Sequence, residues 1–149
     1  MARDKAYREA EKRIEKARKK GATGLDLSRM GLTQLPESIA SLTQLQSLDL
    51  QNNQLAEVPE SIASLTQLQR LDLSCNKLTE VPESIASLTQ LQWLFLSCNQ
   101  LTEVPESIGS LTKLRRLDLS YNPLNPDLAA AYQQGRKALF QYLRAIAEG

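Results

Sequence analysis

A thirteen-residue phrase, Glu-Val-Pro-Glu-Ser-Ile-Ala-Ser-Leu-Thr-Gln-Leu-Gln, runs from Glu57 to Gln69 and returns unchanged from Glu80 to Gln92. It begins again at Glu103 and runs to Leu114, with Gly109 in place of Ala and Lys113 in place of Gln. Leu45, Leu68, Leu91 and Leu114 mark the interval, which is 23 residues. A fixed period of that length is the mark of a solenoid, in which each copy is one turn of a stack. Each copy turns about seven apolar side chains inward: Leu45, Leu48, Leu50, Leu55, Val58, Ile62 and Leu65 in the first complete one. Their burial is worth less than the cost of ordering the backbone of a whole repeat. A single copy therefore cannot stand alone.

Within a copy, Leu48-Asp49-Leu50 alternates apolar and polar, the period of a short strand. The Pro59-to-Ser64 stretch starts with proline at a favourable first helical position, so a helical or 3₁₀ turn is expected on the opposite side. Asn53, Asn76, Asn99 and Asn122 recur where an apolar residue would otherwise stand. A buried amide is tolerated only when its donors and acceptor are matched, which makes these structural residues. In the first copy Met30 takes that place and puts the amide row in doubt there.

Leu45-x-x-Leu48-x-Leu50-x-x-Asn53-x-Leu55 and its successors fit the pattern of leucine-rich repeats, over roughly residues 24–124. The 23-residue unit with Leu/Val-Pro-x-x-Ile-x-x-Leu resembles the cytosolic type found in bacterial Roco proteins. That resemblance implies an α/β fold, a right-handed horseshoe solenoid with a parallel sheet on its concave side. It also implies that the four asparagines form a ladder bonding backbone groups of neighbouring turns.

Both ends read as helical caps. Tyr7, Ala10, Ile14 and Ala17 form one stripe of a helix over residues 4–20, with Asp4 as N-cap and Gly21 as stop. This helix should cover the open edge of the first repeat. After the array, Asn125-Pro126-Asp127 is a helix start. Leu128, Tyr132, Leu139, Tyr142, Leu143 and Ile146 make an apolar stripe, and Gly135 divides it into two shorter helices. Bacterial Roco proteins have a similar segment before their GTPase domain. The domain reading is one leucine-rich repeat unit over 1–149: an N-terminal cap (1–21), about five repeats (22–124) and a C-terminal cap (125–149).

The formal net charge of +1 gives no case for nucleic-acid or membrane attraction across the whole chain. No apolar run is long enough to span a bilayer, and the basic residues from Arg3 onward leave no apolar signal segment. With no histidine and no Gly-x-x-x-x-Gly-Lys loop, no Ser-His-Asp or Cys-His arrangement, His-based zinc site or phosphate cradle is available. Asp26, Asp49, Asp72 and Asp118 share one position, but a row of acids on an open sheet should be well solvated. Cys75 and Cys98 stand one period apart, on strands about 4.8 Å from each other. Their nearly parallel Cβ vectors argue for free thiols, because a disulfide needs the Cβ atoms at about 3.8 Å.

The copies differ mainly in and just after the strand. Successive columns read Ser47, Arg70, Trp93, Arg116; Asp49, Asp72, Phe95, Asp118; Gln51, Ser74, Ser97, Ser120; and Asn52, Cys75, Cys98, Tyr121. Strand alternation turns the first three columns away from the leucines and onto the concave face. Trp93 and Phe95 should both face solvent, with Arg70 and Arg116 flanking Trp93 at cation–π distance. Arg70, Asp72, Trp93, Phe95, Arg116, Asp118 and Tyr121 then form a patch with the composition of an interface hot spot.

These features give an expected function: a non-enzymatic, cytoplasmic module without cofactor or metal that binds a protein or peptide on its concave face. Its capped ends favour a monomer. Two other readings fit the same residues: the regulatory repeat segment of a larger Roco-like GTPase, and an engineered or consensus scaffold without a natural partner.

Overall fold

The computed structural model describes residues 4–148; Arg3 and Gly149 lie outside them. Five three-residue strands, β1 (Gly24–Asp26), β2 (Ser47–Asp49), β3 (Arg70–Asp72), β4 (Trp93–Phe95) and β5 (Arg116–Asp118), form one parallel sheet in chain order. The register advances by one repeat at each step, so Leu25, Leu48, Leu71, Leu94 and Leu117 stand side by side. Between strands the chain returns through 3₁₀ turns at Glu37–Ser41, Glu60–Ser64, Glu83–Ser87 and Glu106–Ser110, each preceded by its proline. The sheet is open at both ends.

All seven inward positions of the first complete repeat are buried, and the equivalent leucines and isoleucines join them in one continuous core. The asparagine row is buried beside it. Asn76 donates from Nδ2 to the carbonyls of Leu50 and Leu73 at 3.0 Å each, and its Oδ1 accepts the Leu55 N–H at 3.0 Å. Asn99 and Asn122 repeat this arrangement one and two turns on. Each amide thus ties adjacent turns together through groups that would otherwise be buried unpaired. The expected gap at Met30 does not occur: Asn53 Oδ1 accepts from both Met30 N–H and Leu32 N–H at 3.0 Å. Each amide serves the turn before it, so the first turn needs none of its own.

Helix α1 (Lys5–Lys20) buries Tyr7, Ala10, Ile14 and Ala17. Asp4 accepts the Tyr7 N–H at 2.9 Å, and Gly21, at φ 62°, supplies the left-handed stop. Its Arg13 donates to the Asp26 carbonyl at 3.3 Å, occupying an acceptor at the outer side of β1. At the other end α2 (Pro126–Gln133) and α3 (Arg136–Glu148) are separated at Gly135, whose φ of 103° suits only glycine. Tyr132 of α2 accepts the Leu119 N–H at 3.1 Å and so serves the last strand's free edge. The apolar stripe of this cap differs from expectation at two places. Phe140 is buried, with Arg136 stacked 4.8 Å from its ring, whereas Ile146 is 42% exposed near the end of α3.

Candidate functional site on the concave sheet

The leucine in the middle of every strand points into the core, so its two neighbours must point out. Parallel pairing then aligns Ser47, Arg70, Trp93 and Arg116 in one row and Asp49, Asp72, Phe95 and Asp118 in the next. Of the residues expected to bind, six meet on β3, β4 and β5. Trp93 and Phe95 are both on this face and half-buried, less open than simple alternation suggests. Tyr121 lies just beyond the end of β5 and is 87% exposed, the most exposed large aromatic of the described residues.

The flanking arginines hold a different ring from the one expected. Their Cζ atoms lie 5.0 Å (Arg70) and 5.9 Å (Arg116) from the centre of the Phe95 ring, not over Trp93. An arginine directly beside Trp93 in register has a stem long enough to cross diagonally to the second row. There its guanidinium also meets a carboxylate: Arg70 lies 3.6 Å from Asp72 Oδ2, and Arg116 lies 3.8 Å from Asp118 Oδ2. Phe95 is thereby flanked by two guanidinium groups, each anchored by the aspartate on its own strand.

Only Asp26 is solvated as expected; Asp49 and Asp118 are half-buried and Asp72 is buried. Asp72 is only 7% exposed. Its Oδ1 accepts the Ser74 N–H at 3.0 Å, and Asp26, Asp49 and Asp118 make the same bond to Ser28, Gln51 and Ser120 at 2.8, 3.0 and 3.0 Å. Each thus caps the turn that leaves its strand. Burial tends to raise the Asp118 carboxyl. Hydrogen bonds from the Ser120 hydroxyl, the Ser120 N–H and the Tyr132 hydroxyl, with the Arg116 charge, more than offset it and hold the carboxyl below its ordinary value. Only at Phe95 is this capping acceptor given up for a ring.

One feature of the rim was not legible in strand alternation. Arg29, Asn52, Cys75, Cys98 and Tyr121 share one repeat position, and all have φ between 56° and 58°. This left-handed residue ends the outward-facing run and swings the following side chain inward, a ladder asparagine in every copy but the first, where it is Met30. Asparagine tolerates the conformation; arginine, cysteine and tyrosine do so at some cost. The asparagine at position 52 was the available signal. Cys75 and Cys98 are unbridged neighbours on this rim, past the ends of β3 and β4 and not on the strands as expected.

No group of three or more Cys, Asp or Glu among the described residues is arranged to hold a metal ion, and no helix among them is long and apolar enough to cross a membrane. The face presents aromatic surface, two oriented guanidinium groups and a polar surround.

The model of a leucine-rich repeat region matches residues 24–146. A solved leucine-rich repeat protein of Leptospira interrogans is similar, with 40% identity and a TM-score of 0.65; the match covers 72% of this chain and 27% of that one. The present chain therefore spans little more than a quarter of that structure's length. No curated protein matches it. The period, the parallel sheet, the asparagine ladder and the family match agree: the chain belongs to the leucine-rich repeat family.

Proposed function

We propose that this chain is a non-enzymatic protein-interaction module that captures a protein or peptide on its concave face, acting as a monomer in the cytoplasm. Trp93 and Phe95 are the apolar centre, Arg70 and Arg116 the oriented donors beside them, Asp72 and Asp118 their anchors, and Tyr121 the outlying contact. The observation that carries this reading is Phe95 itself. Its position holds a turn-capping aspartate in four of the five repeats, and a ring there adds nothing to the leucine core while exposing apolar surface. A local sacrifice of this kind is what a binding site leaves behind.

A peptide-display selection tests it. Binders selected on the wild-type chain should lose affinity at least tenfold against the Trp93→Ala/Phe95→Ala variant, since central aromatic anchors are worth about 2 kcal/mol or more. Binders that hold the variant as tightly as the wild type would place the site elsewhere.

A further inference from the structure

Cys75 and Cys98 occupy the same position in successive repeats, with φ of 57° and 58°, so their side chains leave the backbone in the same direction one strand apart. Both backbones are fixed by the next repeat: Cys75 N–H donates to Ser97 O at 2.9 Å and Cys98 N–H to Ser120 O at 3.0 Å. Cys75 is partly exposed and Cys98 exposed, so reagents in solvent can reach the pair. The neighbouring Cys98 thiol, then burial, then the Asp72 charge push the Cys75 thiol up.

This geometry discriminates between two kinds of bridge. Parallel side chains at the same position of adjacent turns, stacked at the sheet spacing of about 4.8 Å, are poorly placed for a direct disulfide, which needs converging Cβ atoms. A bridge containing one extra atom between the sulfurs relaxes that demand. Soft centres that bind two thiolates supply such an atom.

We propose that Cys75 and Cys98 form a dithiol site for thiophilic metalloids, trivalent arsenicals in particular. The step is a condensation without redox change. An arsenoxide, R–As=O, reacts with two thiols; two As–S bonds form, the As=O bond breaks, and its oxygen leaves as water with both thiol protons.

Phenylarsine oxide is the probe, read by intact mass after challenge with glutathione. The wild-type chain should carry one adduct, and removing it should take about 10²–10⁴-fold more glutathione than either single variant, Cys75→Ser or Cys98→Ser, requires, because the second thiol acts at high effective concentration. Moving the pair by one repeat gives a gain-of-function control in which both variants carry one serine and differ only in the spacing of the thiols. Asn52→Cys with Cys98→Ser places thiols in adjacent repeats again and should restore the resistant adduct. Asn52→Cys with Cys75→Ser separates them by two strands, roughly 10 Å, and should not. A wild-type adduct removed as easily as those of the single variants, or equal resistance in the two double variants, would overturn the proposal.

Discussion

The Arg70 guanidinium stands 5.0 Å from the centre of the Phe95 ring while keeping Asp72 Oδ2 3.6 Å away. One side chain is thus bound to the feature its repeat shares with its neighbours and to the feature that sets the next repeat apart. Phe95→Asp tests what the ring costs. The new carboxylate can accept the Ser97 N–H as its counterparts do, worth about 1 kcal/mol, while the lost cation–π contacts are worth about 0.5–1 kcal/mol each near the surface. The variant should stay within about 1 kcal/mol of the wild type in urea unfolding and yet lose binding. Phe95→Ala, which gains no acceptor, should be the less stable of the two.

Gly109 replaces an alanine found in the equivalent place of the earlier repeats, and the C-terminal cap explains it. A Cβ there would stand 3.3 Å from both Leu143 Cβ and Arg144 Cγ, and Arg144 Nε donates to the Gly109 carbonyl at 3.1 Å. Gly109→Ala should therefore push α3 outward and cost about 1–2 kcal/mol as overpacking. Hydrogen exchange should show the loss of protection concentrated in α3 and not in β1–β3.

Much of this architecture could be read from residue order alone, because a 23-residue period repeats every packing decision. The leucine core, the helix stripe from Tyr7 to Ala17, and the break at Gly135 each rest on a spacing or on one residue's backbone preference. Other features depend on distances between side chains. That Arg70 crosses to Phe95 rather than staying beside Trp93 depends on the reach of a flexible stem. Asp72 is hidden because its carboxylate folds back onto the Ser74 N–H, a local bond that alternation does not encode. Gly109 shows as a difference between copies, but its reason lies in a helix more than thirty residues later.

Tyr121 has φ 57° with its ring almost wholly in solvent. Tyr121→Asn should stabilise the chain by about 1 kcal/mol, because asparagine adopts the left-handed backbone more readily than tyrosine. If Tyr121 serves the binding face, the same variant should bind the selected peptides more weakly. A melting curve and a binding isotherm on one sample check both halves.

Asp118 gives a pH-dependent prediction. Its carboxyl lies below the ordinary value of 3.8 in the folded chain, so its ionised form binds more favourably there than in the unfolded chain. That contribution is complete above the unfolded value and disappears as pH falls through the lower folded one. Asp118→Asn should accordingly be less stable than the wild type at neutral pH. The gap between their thermal midpoints should begin to close below about pH 5 and continue to shrink beneath pH 3.8.

Trp93 is the chain's single tryptophan, so its emission reports from the centre of the concave face without a label. Titrating a display-selected peptide into the wild-type chain, at constant salt and pH, measures occupancy of that face directly. Burial of Trp93 under the peptide should give a blue shift that saturates with the binding isotherm and is accompanied by loss of acrylamide quenching. Saturable binding by calorimetry with Trp93 emission and quenching unchanged would contradict it.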